Sequence, residues 1–221
     1  MPDRTRTRAR QLAREFNDKH DPTGWFEQLY READEGKTEV PWADLRPNIN
    51  LLNYAAKHPF DGAGRRALVI GCGFGDDAEQ LAAWDFMTTA FDISETAIRN
   101  ARKRFPQSHV EYRTADILNP PADCRAAFDF IVEVYTLQVL PGALRPKAIT
   151  EMAAMLRPRG ELLVIARGRE ADDPAGEMPW PLTRDDLRHF ADASLVEVSF
   201  DDFPDPDSPE TRRFRVLYRR P

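Results

Sequence analysis

A chain of 221 residues can bury one substantial α/β core, and its 42% hydrophobic and 31% charged residues exclude a disordered or fibrous protein. The net charge of −6 opposes general binding to a phosphate backbone. No apolar run reaches the roughly 20 residues of a bilayer span, and the charged start has no following apolar stretch of the secretory kind.

Residues 1–60 are expected to form a helical unit, a cap and lid, with helices over 4–19, 23–34 and 47–58 and a loop over 35–46. This stretch is rich in aromatic residues, among them Phe16, Trp25, Phe26, Tyr30 and Trp42, and it lacks β-branched runs. Arg4, Arg6, Arg8, Arg10 and Arg14 open it. They read as the solvated face of a terminal helix, with a lid or anion clamp as the functional alternative.

From residue 61 onward the pattern alternates strand and helix. Residues 67–71 are a short apolar run suited to a buried parallel strand, and 76–84 carry Ala78, Leu81 and Ala82 on one helical face. Residues 86–93 are a second strand, after which Ser94 caps a helix bearing Ala97, Ile98, Ala101 and Phe105. Strands follow at 110–115 and 128–134, then a helix over 143–156 stopped by Arg157-Pro158-Arg159-Gly160 and a strand over 161–166. Thr183-Arg184-Asp185-Asp186 has the form of a capping box and opens a short helix through Phe190. Strands near 195–203 and 212–219, joined by a proline-rich loop, make a hairpin at the sheet edge. The fold class is α/β: a doubly wound, mostly parallel sheet with an N-terminal helical cap.

Ligands of such sheets bind beyond the carboxyl ends of the strands, where strand order reverses. Gly71-Cys72-Gly73-Phe74-Gly75 stands there, between the first strand and its helix, and lets a ligand press on bare backbone. Asp92 follows at the end of the second strand, placed to hold ribose hydroxyls, and Asp116 with Ile117 at the end of the third could hold an adenine. The turn lacks the spacing of the dinucleotide fingerprint, and the acids Asp76 and Asp77 after it oppose a pyrophosphate but tolerate an ammonium. S-adenosylmethionine (SAM) therefore fits better than NAD.

Five motifs in order across residues 67–167 resemble the class I SAM-dependent methyltransferases: Val69-Ile70-Gly71-Cys72-Gly73-Phe74-Gly75-Asp76, Phe91-Asp92-Ile93-Ser94, Ala115-Asp116-Ile117, Phe128-Asp129-Phe130-Ile131-Val132 and Leu156-Arg157-Pro158-Arg159-Gly160. Within that superfamily the chain is similar to the thiopurine and thiol methyltransferases in Gly36-Lys37-Thr38 with Pro41-Trp42, in Gly73-Phe74-Gly75-Asp76-Asp77-Ala78, in residues 134–141 with Arg145, and in Pro179-Trp180-Pro181-Leu182-Thr183. The resemblance implies a seven-stranded sheet in the order 3-2-1-4-5-7-6, with residues 61–221 as the SAM-binding domain. It implies that Gly71, Cys72 and Gly73 line the methionine part of SAM, Asp92 and Ile93 the ribose and adenine, and Asp116 and Ile117 the adenine. Glu133 and Val134 would lie by the methionine moiety, with Glu133 standing where an Asp is usual, and Trp25 and Trp42 would lie over the cofactor.

Alignment of nucleophile, methyl and sulfur can itself lower the barrier by roughly 7–11 kcal/mol, so the protein needs little acid–base machinery for a sulfur acceptor. Tyr135 and Glu133 are the candidate catalytic residues, Tyr135 through its ring near the sulfonium and Glu133 as a base for an oxygen or nitrogen acceptor. His58 is a second candidate base, more simply read as a surface or capping residue. Cys72 and Cys124 are the only cysteines and have no neighbouring histidines, so no metal and a reduced, cytoplasmic setting are expected. Asn119-Pro120-Pro121-Ala122 precedes the fourth strand, lacks the aromatic of the amino-methylating tetrad, and reads as a loop. The expected partner is a small-molecule acceptor, neither nucleic acid nor membrane, for a monomer or homodimer. Sulfur is the first acceptor choice, with oxygen or nitrogen methylation and a non-catalytic SAM-binding module as alternatives.

Overall fold

The apolar segment Arg66–Ile70 is strand β1, near the middle of a seven-stranded sheet in a computed structural model that describes residues 4–221, with side chains from Arg6 onward. Strands β2 (Met87–Asp92) and β3 (Glu111–Thr114) lie on one side of it. On the other lie β4 (Phe128–Val134), β5 (Leu156–Arg167), β6 (Val196–Pro204) and β7 (Arg212–Arg219). The order is β3-β2-β1-β4-β5-β7-β6, as the motif resemblance implied. Pairings from β3 through β5 are parallel, while β7 runs antiparallel to both β5 and β6. Strand order reverses between β1 and β4, which places a ligand crevice above their carboxyl ends.

Side chains alternate between the two faces, as strand geometry requires. Leu68, Ile131, Leu162 and Val216 pack on one face against helices α6 (Arg145–Met155) and α7 (His189–Asp192). Val69, Val132 and Leu163 pack on the other against α3 (Ile49–Lys57), α4 (Asp76–Ala83) and α5 (Glu95–Arg104). Ser94 caps α5 as expected, its hydroxyl accepting from the Ala97 N–H at 3.0 Å.

The first two helices, α1 (Arg4–Asn17) and α2 (Trp25–Asp34), share an apolar cluster of Leu12, Trp25 and Leu29 with Val139 and Met178. That cluster seats them over the loops that follow β4 and β5. Arg8 holds Glu32 with two hydrogen bonds at 2.6 and 2.7 Å, and Arg10 donates to the Met178 carbonyl. The Arg4 side chain lies outside the described residues. Ion pairs thus account for Arg8, Arg10 and Arg14, the last two with Glu177.

Two elements differ from the sequence reading. β5 begins at Leu156, five residues early, because Leu156 already pairs with Phe128 and the helix stop Arg157-Pro158-Arg159-Gly160 is built into the strand as an irregularity. The short helix from Thr183 is a 3₁₀ turn, Asp186–Arg188, running into the four residues of α7. Its capping box does form: the Thr183 N–H donates to Asp186 Oδ2 at 2.8 Å and the Asp186 N–H to Thr183 Oγ1 at 3.1 Å.

Candidate active site

After Ile70 the chain leaves the sheet through Gly71 at φ 62° and Gly73 at φ 53°, a left-handed backbone that glycine adopts without cost. A Cβ on Gly71 would stand 2.3 Å from Thr136 Oγ1, and one on Gly73 would touch the Tyr30 hydroxyl at 3.0 Å. The turn is therefore backbone-thin where it faces the crevice. It leads directly into the first turn of α4.

Asp92, the last residue of β2, is buried beneath this turn. Its Oδ2 accepts from the Gly73 N–H and its Oδ1 from the Ser94 N–H, both at 2.9 Å. Each oxygen keeps a further lone pair for a donor. Burial, reinforced by nearby Glu27, pushes this carboxyl up to about 6 despite those bonds. Asp77 is likewise pushed up to about 6 by burial, and it accepts the Asn48 N–H at 2.7 Å. At the end of β3, Asp116 Oδ1 accepts the Leu118 N–H and fixes the turn that carries Ile117.

These groups border one cavity of about 370 Å³, within the range of small-molecule sites. Gly71, Cys72, Gly73 and Asp92 form its floor, and Ile93, Asp116 and Ile117 one wall. Val134, Tyr135 and Trp42 complete it from the other side. Nine of the eleven cofactor candidates read from the sequence border this cavity, as does Tyr135; the two exceptions are Trp25 and Glu133.

Trp25 and Glu133 do not reach the cavity. Trp25 is buried behind the neighbouring Phe26, with ring centroids 3.9 Å apart, and Phe26 takes the place on the wall. Glu133 is fully buried, and its Oε1 accepts the Thr136 and Leu137 N–H groups at 2.6 and 2.9 Å. It holds the loop after β4 rather than meeting an acceptor, and burial pushes its carboxyl up to about 7. His58 is exposed and stacks on Tyr54, away from the cavity.

Beside the expected Trp42 and Tyr135, the site includes Tyr30, Arg167 and Arg213, for which the sequence carried no local signal. Tyr30 and Trp42 form part of the roof, with the Trp42 indole N–H donating to the Tyr30 hydroxyl at 2.9 Å. Tyr135 adopts φ 68°, a rare conformation for a bulky residue and one that clusters at functional sites. Its hydroxyl accepts from Asn50 Nδ2 at 3.1 Å, and the Arg213 guanidinium lies 4.3 Å from its ring centre. Arg6, Arg167 and Arg213 border the same cavity. The Cys72 thiol is buried, which raises its pKa well above the usual value and leaves it a packing group rather than a nucleophile.

Comparison with known proteins gives this geometry a class. Residues 67–160, from β1 into the first half of β5, match the family described as a methyltransferase domain. A probable thiol methyltransferase of Arabidopsis thaliana is 30% identical over 105 residues, 45% of each chain. A ubiquinone biosynthesis O-methyltransferase of Xanthomonas oryzae pv. oryzae is 30% identical over 121 residues, 53% of this chain and 49% of that protein. The chain spans about half the length of these curated relatives. The N-methyltransferase NodS of Bradyrhizobium japonicum WM9, solved with S-adenosyl-L-homocysteine (SAH), superposes with a TM-score of 0.69 at 24% identity, covering 88% of this chain and 98% of that one. The chain has the Rossmann-like fold of SAM-dependent methyltransferases. The residues present fit that cofactor: a bare glycine floor, an acid with unused acceptor capacity, and an aromatic roof.

Proposed function

We propose that this chain transfers the methyl group of SAM to a small-molecule acceptor, a thiol or other sulfur nucleophile in the first instance. The observation that carries the reading is the Gly71–Gly73 turn laid over Asp92 at the strand-order reversal. SAM supplies an activated methyl group when bound. Asp92 would accept the ribose hydroxyls, Asp116 and Ile117 would border the adenine, and Gly71, Cys72 and Gly73 would lie along the methionine portion. Residues 1–60 would serve as a cap that excludes water, with Trp42 and Tyr30 over the cofactor.

Sulfur is favoured because no histidine borders the cavity and Glu133 is sealed behind the loop it holds. A thiol ionises near neutral pH and needs no strong base, whereas an alcohol does. The thiol methyltransferase likeness supports the same choice. Tyr135, held by Asn50 and facing the cavity, would orient the acceptor.

The test is SAH binding by calorimetry, followed by SAH production from SAM with panels of thiols, phenols and amines. Binding with turnover of thiols above the other panels supports the proposal. Turnover confined to phenols or amines moves the acceptor to oxygen or nitrogen, and binding without any turnover favours a non-catalytic module. No binding of SAH removes the reading altogether.

A further inference from the structure

The end of the cavity under β5 and β7 holds more positive charge than the protein neutralises. Arg167 and Arg213 are direct cross-strand partners in the antiparallel β5–β7 pair, so two guanidinium groups share one face. Like charges opposite one another destabilise a sheet unless something compensates them. Arg213 is buried. Its Nε donates to Asp205 at 2.5 Å, and its Nη1 has no partner among the described residues. Asp205 also accepts from Asn50 Nδ2 at 3.0 Å, so it is already shared.

Among the described residues Arg167 makes no ion pair, and its hydrogen bonds are those of its main chain, the N–H donating to Gln138 Oε1 and the carbonyl accepting from Leu182. Burial, with Arg6, Arg213 and Arg10 nearby, brings the Arg167 guanidinium down to about 10. Arg6 of α1 reaches the same wall. Of the cavity-lining acids at this end, Asp207 is engaged by Arg46 at 2.7 Å. Among the described residues, Arg6, Arg167 and Arg213 therefore border the cavity with one hydrogen-bonded carboxylate, Asp205, among them, while the exposed Glu210 acts on Arg167 only through space.

We infer that the acceptor carries an oxyanion, a carboxylate or a phosphate, received by Arg167 and Arg213 with Arg6 above them. The inference rests on the methyltransferase reading of the same cavity. Three strand spacings, roughly 14 Å, separate β2 with Asp92 from β5 with Arg167, which leaves the cofactor's nucleoside at the acidic end and the acceptor's anion at the basic one. A guanidinium fork matches a planar or tetrahedral oxyanion in two-point contact, and the half-buried Arg167, without an ion pair among the described residues, gains most from it.

The cofactor has a carboxylate of its own, so the experiment must separate the two sources. The full chain saturated with SAH is titrated with benzoate, 4-mercaptobenzoate and phenyl phosphate, and with benzamide, 4-mercaptobenzamide and phenol as their neutral counterparts. The anionic members are expected to bind at least ten-fold tighter. Arg167→Gln is expected to abolish that preference, to leave the Kd for SAH within two-fold, and to raise the Tm by relieving the like-charge opposition. The inference is overturned if neutral and anionic members bind alike, or if neither binds the SAH-loaded protein. It is also overturned if Arg167→Gln weakens SAH ten-fold while sparing 5′-methylthioadenosine, since the arginine then serves the cofactor's own tail. Failure of SAH to bind the unaltered protein is a different result, which removes the methyltransferase reading and this one with it.

Discussion

Gly73 and Asp92 are tied through a single hydrogen bond, the glycine N–H donating to Asp92 Oδ2 at 2.9 Å, which joins the turn after β1 to the end of β2. The acid therefore does two jobs. One lone pair of each oxygen is spent on the protein, on Gly73 and Ser94, and the residue borders the cavity with acceptor capacity left.

Asp92→Asn breaks this division of labour. The amide has one acceptor oxygen where two N–H donors converge, so its NH₂ faces a backbone N–H or turns toward the cofactor. A lost hydrogen bond to a charged group amounts to about 1.5–3 kcal/mol, and the Kd for SAH is expected to rise by roughly 10- to 100-fold. Calorimetry measures it, with circular dichroism to establish that the fold remains. An unchanged Kd removes Asp92 from the cofactor site.

The three raised carboxyls make stability fall with pH. Asp77 and Asp92 are pushed up to about 6 and Glu133 to about 7, all by burial. Each binds its proton more tightly folded than unfolded, so this stability is present below about pH 4, is lost as pH rises through the folded values, and is flat above them. Glu32, lowered to about 2 chiefly by Arg8, acts with the opposite sign and below this window. The Tm of the ligand-free protein is thus expected to drop between pH 5 and pH 8, with Glu133 alone contributing up to about 3 kcal/mol. Glu133→Gln keeps an acceptor for Thr136 and Leu137 while removing the charge. Thermal denaturation at four pH values should show a flatter slope in the variant, and parallel slopes would refute the assignment.

Gly71→Ala tests the floor. The new Cβ meets Thr136 Oγ1 at 2.3 Å, and the φ of 62° strains any side chain. A destabilisation of about 2–4 kcal/mol is expected, from roughly 1–2 kcal/mol of left-handed strain plus the clash. Thr136→Ala removes the clashing atom, so the double variant should recover part of the loss but not the strain. Urea denaturation of the four proteins gives the coupling, and strict additivity would mean the contact is relieved elsewhere.

The sheet was legible because short apolar runs alternate with amphipathic helices, a glycine turn follows the first of them, and the acids at the strand ends stand out against them. What failed to show depends on rotation and register. Trp25 and Phe26 are adjacent on α2, about 100° apart around the helix axis, and the sequence does not say which ring faces the cavity. Glu133 reads as a site residue because a carboxylate at the end of a buried strand invites a ligand, yet its partners are the N–H groups of its own loop. Arg167 and Arg213 lie 46 residues apart (213 − 167), and only the β5–β7 register brings them opposite each other.

Glu27 sets the last prediction, because it couples α2 to the acid beneath the glycine turn. Its Oε2 accepts the Ser94 hydroxyl at 2.6 Å and the Thr96 N–H at 3.1 Å, and its Oε1 accepts the Thr96 hydroxyl at 2.7 Å. The carboxylate thereby anchors α2 on the first turn of α5, where a negative charge also meets the positive end of the helix. Those bonds hold its own pKa below the ordinary value against the opposing effect of burial. Its charge also raises the pKa of Asp92. Glu27→Gln should then have two separable effects. Stability at pH 7 falls by about 1–2 kcal/mol as charged hydrogen bonds become neutral ones, read by urea denaturation. At the same time Asp92 ionises more readily, so the acid limb of SAH binding moves to lower pH, read by calorimetry between pH 5 and pH 7.5. A structural anchor without electrostatic reach would produce the first effect and leave the limb where it was. The shift of the limb is therefore the measurement that decides whether α2 tunes the cofactor acid or merely covers it.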